Sequence, residues 1–80
     1  MSDISGKIRT IIAQNLEIKE EKVTEGSRIV DDLGADSLDI IEFFSVVEEK
    51  FDIKITGEDA NKLITVGDLV SYIEGKTTLK

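Results

Sequence analysis

The sequence predicts an all-α fold, a small four-helix bundle of three main helices and one short one, with a long first loop. Three observations point to it. Apolar residues recur at helical spacing in separate segments, with N-cap residues ahead of them. The one strand-like alternation, "FDIKI" at residues 51–55, has no second strand to pair with. The length of 80 residues allows a single domain, and no repeat or low-complexity stretch divides it. Residues 1–80 therefore read as one domain with a core over about 4–75 and a frayed tail, "KTTLK".

Each element has its own signal. Ile8, Ile11, Ile12 and Leu16 fall at i, i+3, i+4 and i+8, one apolar face of a helix from about Ser5 to Leu16, capped by Ser2 or Ser5. Residues 17–36 show no long period. A connection of that length implies a function or a short turn of its own, pinned by Ile18, Val23, Ile29 and Leu33. The next helix starts at Asp36 or Ser37 and runs to about Phe51, with Leu38, Ile41, Phe44, Val47 and Phe51 turned inward. With Asp36 as N-cap, Asp39 occupies the third helical position, and both charges suit the positive end of the helix dipole. Thr56 and Asp59 resemble a capping box ahead of a short helix to about Leu63, with Ala60 and Leu63 facing in. Thr65 and Asp68 repeat the device before Val66, Leu69, Val70 and Ile73, and Gly75 stops the last helix.

Composition removes several functions. Hydrophobic residues make up 40% of the chain, but the aromatics are only Phe43, Phe44, Phe51 and Tyr72, so the core is mostly aliphatic. A core of this size is expected to supply no more than roughly 3–5 kcal/mol of net stability. There is no cysteine and no histidine, which excludes thiol catalysis, disulfides and the usual serine–base pair. No apolar run approaches the roughly 20 residues of a membrane span, and the N-terminus lacks the character of a signal or transit peptide. The expectation is a protein that stays in the cytoplasm of a bacterium, a monomer without membrane insertion.

The net charge of −7 argues against nucleic acid as a partner, and its location carries more information than its size. From Asp31 to Glu49 there are seven acids and no base, while the rest of the chain balances ten against ten. Asp39 and Glu42 are neighbours on the outer face of the second helix, Glu49 follows one heptad after Glu42, and none of them has a basic residue at i+3 or i+4. Such like-charge spacing costs about 0.2–0.5 kcal/mol per pair. A solvated face and a recognition stripe for basic partners explain it equally well, and its place beside Ser37 favours recognition. A calcium loop is excluded, because "DDLGADSLDIIE" has Leu33 and Ala35 where side-chain ligands belong. Only weak divalent association with the stripe remains.

Ser37 itself is either the helix N-cap or a hydroxyl that another enzyme modifies. A phosphate ester there meets free N–H groups and the helix dipole, and Gly34 permits the turn that sets the serine on a corner.

The segment "DLGADSLD", Asp32 to Asp39, resembles the attachment motif of the acyl carrier proteins of fatty acid synthesis. The resemblance runs from about Ile4 to Gly75, and "NLEIKEEKVT", "VVEEKFDIKI" and "ITVGDLVSYI" are similar to the family's helix boundaries. It implies a non-enzymatic carrier. A separate transferase, the holo-acyl-carrier-protein synthase, takes 4′-phosphopantetheine from coenzyme A and esterifies it to Ser37. Acyl chains then ride on the arm's thiol as thioesters. It also implies that Asp36, Leu38, Asp39, Glu42, Glu48 and Glu49 meet the basic patches of ketoacyl synthases, reductases, dehydratase and transacylases. Val47, Phe51, Ile55, Ala60 and Leu63 match positions around a cavity that shelters the acyl chain. Ordinary core is the other reading of those five, and the two are compatible.

Four positions depart from the family pattern. Thr56 replaces a common proline and loosens the entry to the third helix; Ser45 replaces a common exposed apolar residue; Phe43 and Phe44 are bulky. Phe44 is expected to narrow the cavity and Phe43 to stand exposed as an apolar anchor beside the acids. A carrier for aminoacyl or polyketide cargo, or an unmodified acidic interaction module, are the alternatives. The acidic stripe and the length favour fatty acyl cargo.

Overall fold

The structure, a computed structural model, describes residues 3–77. Four helices follow in order: α1 (Asp3–Leu16), α2 (Ser37–Phe51), α3 (Gly57–Ala60) and α4 (Val66–Thr77). The connection between α1 and α2 carries one 3-10 turn at Glu20–Lys22, the short turn its length called for. No strand forms among the described residues, and "FDIKI" is the end of α2 followed by loop.

α1 packs on both α2 and α4. Its Ile8, Ile11, Ile12 and Ala13 meet Phe43 and Val47 of α2 and Val66, Leu69, Val70 and Ile73 of α4 in one core. Val23, Ile29 and Ala35 add to it from the long connection, and Ile18 and Leu33 pack half-buried at its edge. Ser5 is not the α1 cap. It lies inside the helix, buried, and its hydroxyl donates to the Glu25 carboxylate at 3.2 Å. Ser2 lies outside the described residues.

Backbone bonds stitch the connection to the start of α4, which explains why a 20-residue stretch without periodicity holds one shape. The Ile29 N–H donates to the Ile64 carbonyl at 2.9 Å, and the Val66 N–H donates to the Ser27 carbonyl at 3.0 Å. The Gly67 N–H donates to the Glu25 carbonyl at 2.8 Å, and a Cβ at Gly67 would stand 3.0 Å from that oxygen. Arg9 reaches across from α1 and donates Nε–H to the Val23 carbonyl at 2.9 Å.

Three helix expectations need correction. The inner face of α2 is carried by Phe43 and Val47, with Ile40, Phe44 and Phe51 half-buried beside them, whereas Leu38 and Ile41 are 70% and 60% exposed. At 3.6 residues per turn, Leu38 lies two and a half turns from Val47 and must point to the opposite side. The short helix ends at Ala60 rather than Leu63, a single turn closed by Thr56, whose hydroxyl accepts the Asp59 N–H at 3.1 Å. α4 runs through Gly75 to Thr77, because a glycine at negative φ stays helical at a cost of about 1 kcal/mol, and Lys76 suits the negative end of the dipole.

The ends of α1 and α2 are closed without glycine. Glu17 and Asp52 adopt left-handed conformations at φ 57° and 56°. The next residues, Ile18 and Ile53, donate their N–H to the Ala13 and Glu48 carbonyls at 3.0 and 3.1 Å and tuck their side chains against the core.

Candidate functional site

The corner that precedes α2 is made by a tight run of backbone bonds. The Asp32 and Leu33 N–H groups donate to the Arg28 carbonyl, and the Gly34 N–H donates to the Val30 carbonyl. Gly34 takes φ 75°, a value that costs other residues about 1–2 kcal/mol. Ala35 then anchors the chain, buried, with its N–H on the Ile29 carbonyl at 3.2 Å.

Asp36 is the N-cap. Its carboxylate accepts the Asp39 N–H at 2.9 Å, and the Asp39 carboxylate accepts the Asp36 N–H at 3.2 Å, a reciprocal capping box. This arrangement takes the N-cap role away from the serine. Ser37, first residue of α2, is exposed, and its hydroxyl makes no hydrogen bond among the described residues. The capping work is done by its neighbours.

The outer surface of α2 and the loops beside the core carry both acidic and apolar residues. Glu42 and Glu49 point outward on α2, and among the described residues the single ion pair of the molecule, Arg28 with Asp31 at 3.4 Å, involves neither. Asp39 is half-buried within the capping box. Glu48 belongs elsewhere. Half-buried, it accepts the Ile55 N–H at 2.6 Å and so braces the loop after α2. Leu38 is exposed, and Val30, Ile41 and Ile64 are likewise exposed at 53%, 60% and 57%. The sequence reading missed those three. The turn arithmetic that places Leu38 outside also carries Ile41 off the Val47 side, and that signal was present in the spacing.

The five residues matched to a cavity divide by burial. Val47 is fully buried, Phe51, Ile55 and Leu63 are half-buried against the core, and Ala60 is half-buried. Phe43 is fully buried and meets Phe44 edge-to-face at 5.0 Å, so it is core rather than an exposed anchor. Exposure was expected because Phe43 falls outside the stripe that begins at Leu38; the actual stripe is centred on Val47, four residues on. An open hollow along α1, lined in part by Lys7, Arg9, Thr10 and Lys50, shares no residue with this site. Among the described residues no three carboxylates gather as metal ligands would.

A family model described as a phosphopantetheine attachment site matches residues 6–73. The chain belongs to the phosphopantetheine-binding carrier family. Relatives agree over nearly the full length. The acyl carrier protein of Thermotoga maritima is 45% identical over 74 residues, which span 92% of this chain and 91% of that protein. That of Wolinella succinogenes is 49% identical over 67 residues, 84% and 88% of the two chains. That of Sinorhizobium fredii is 45% identical over 74 residues, 92% and 95%.

A phosphopantetheine carrier is not an enzyme, and its cofactor is 4′-phosphopantetheine, covalently attached. The corner at Ser37 fits such a group, because an exposed hydroxyl without an internal partner can be esterified without breaking any bond of the fold. No helix among the described residues is long and apolar enough to cross a membrane.

Proposed function

We propose that this chain carries growing fatty acyl groups as thioesters on a 4′-phosphopantetheine arm esterified to Ser37, and delivers them to the enzymes of fatty acid synthesis in the cytoplasm. The observation that carries the proposal is the Ser37 hydroxyl, exposed and unbonded at the head of α2, in a chain whose family is defined by phosphopantetheine attachment. The arm supplies the thiol that a chain without cysteine lacks.

The chain has no histidine, and the Asp36 and Asp39 carboxylates beside Ser37 are engaged with backbone N–H groups, so removal of the serine proton is assigned to the transferase. No lysine or arginine lies between Asp31 and Glu49 to hold the phosphate. Within that segment only the ester bond and the N–H groups at the head of α2 hold the arm, which leaves it able to swing between partners.

Glu42, Glu49, Asp36 and Asp39 present negative charge to basic patches on those partners, and exposed Leu38 adds an apolar contact in their midst. Glu48 adds its charge at the loop after α2, where its Oε2 is engaged with the Ile55 N–H. Val47, Phe51, Ile55, Ala60 and Leu63 form the apolar wall between α2 and α3 that parts around an acyl chain. The partial burial of four of them supports this, since less dispersion contact and less area must be given up there than in the closed core.

Incubation with coenzyme A and a broad-specificity phosphopantetheinyl transferase, read by intact mass, tests the attachment site. The wild type is expected to gain one phosphopantetheine and a Ser37→Ala variant none. Absence of any gain on folded wild-type protein would overturn the proposal.

A further inference from the structure

The segment from Glu48 to Thr65 contributes no fully buried residue, although core residues precede it at Val47 and follow it at Val66. Its apolar side chains Phe51, Ile53, Ile55, Ala60 and Leu63 are half-buried, and Ile64 is 57% exposed. α3 is a single turn, below the length at which a helix holds itself. Hydrophobic burial is thus a weak hold on this segment, and polar ties to its neighbours decide how often it opens.

Two such ties come from the flanking long helices. From α4, the Tyr72 hydroxyl donates to the Asp59 carboxylate of α3 at 2.8 Å, and the Lys54 carbonyl stands 3.4 Å from the same oxygen. One hydroxyl has one proton, and the shorter bond to a charged acceptor takes it, with Lys54 as the alternative acceptor in the loop. From α2, the Glu48 carboxylate accepts the Ile55 N–H at 2.6 Å. The Tyr72 ring is itself held, half-buried, with Lys76 Nζ 5.3 Å from its centroid. Burial, and then the neighbouring Asp59 carboxylate, push the Tyr72 hydroxyl above its usual pKa, so it remains a proton donor.

We propose that Tyr72 is a positioning residue which, through Asp59, latches α3 and its entry loop over the aliphatic interior, while Glu48 braces the other side. Release of the latch frees residues 53–63 to open as a unit without loss of the core formed by α1, α2 and α4. In the carrier, this opening governs how readily cargo passes between the interior and the surface, a consequence that rests on the carrier reading. The latch itself does not depend on that reading and is testable on the unmodified chain.

The experiment is amide hydrogen exchange on unmodified wild-type, Tyr72→Phe and Asp59→Asn proteins. The Ala60, Asn61 and Leu63 amides, bonded to the Thr56, Gly57 and Ala60 carbonyls, report on α3, and the Ile12 and Leu69 amides report on the core. Tyr72→Phe is expected to raise exchange in α3 about tenfold, the effect of losing one hydrogen bond to a charged group, with core exchange unchanged. Asp59→Asn keeps an acceptor for the hydroxyl and is expected to fall between the two. Exchange in α3 that does not change, or that rises only in step with the core, would overturn the latch. Loading of phosphopantetheine on Ser37 is measured separately by mass, so failure of one does not imply failure of the other.

Discussion

Ser37 is available because Asp36 and Asp39 satisfy each other's backbone N–H groups, and the same device recurs where α4 begins. There the Asp68 carboxylate accepts the Thr65 and Ile64 N–H groups, each at 3.1 Å, and the Thr65 hydroxyl accepts the Asp68 N–H at 3.0 Å. The bonds from Thr65 and Ile64 hold the Asp68 carboxyl below its ordinary pKa of 3.8. A depressed folded-state pKa means that the stabilisation is complete above the unfolded value and is lost as pH falls through the folded one. Wild type is therefore expected to be more stable than Asp68→Asn near pH 6, with the difference shrinking as pH falls below about 4. Urea unfolding of both proteins across that range checks it, and a difference that stays constant with pH would contradict the account. The reciprocal pair Thr65 with Asp68 was legible in the sequence because its spacing is local, whereas of the pair Thr56 with Asp59 only the Thr56 half forms, since the Asp59 carboxylate turns to Tyr72. The closures at Glu17 and Asp52 were not, since a left-handed residue other than glycine leaves no compositional mark.

At the scale of the element, α2 shows what periodicity can and cannot settle. Its limits, a start at Asp36 or Ser37 and an end near Phe51, follow from local signals and agree with the structure, in which Asp36 is the cap. Its rotation does not, because "SLDIIEFFSVV" is apolar at so many positions that a stripe begun at Leu38 looks plausible until it is measured from Val47. The interior is chosen by contact with α1 and α4, which no single helix encodes. Truncation of the buried Phe43 to alanine is expected to cost about 3–5 kcal/mol, comparable with the whole expected stability. Leu38→Ala and Ile41→Ala, both at exposed positions, are expected to shift it by about 0.5 kcal/mol or less. Chemical denaturation separates the two sets, and equal losses at Leu38 and Phe43 would restore the discarded face. α3 was legible in its Thr56 cap, yet its length was overestimated, because Leu63 packs against the core from the loop after the turn and mimics a helical position.

For the whole molecule, charge and stability are divided in space. The acids of α2 and the corner before it carry the entire net charge, and the rest of the chain is neutral. Concentrated charge of one sign steers association with oppositely charged partners and leaves the complexes easy to dissolve, which suits a protein that must visit several enzymes in turn. Cohesion lies on the other side, where α1 binds α2 and α4 around a closed aliphatic core. α3 sits between these two regimes, half-buried and tied by Tyr72 and Glu48. Architecture and the acidic segment could both be read from the residues. The tie from Tyr72 could not, because it joins residues 13 apart through a loop of no regular period. The central claim is that Ser37 carries fatty acyl cargo through its arm. Its most direct test is to supply the phosphopantetheine-loaded chain to a purified set of fatty acid synthesis enzymes with malonyl donor and reductant, and to follow intact mass over time. The account predicts masses on the wild-type chain that grow in two-carbon steps, and none on Ser37→Ala; a fully loaded wild-type chain that the same enzymes leave unextended would contradict it.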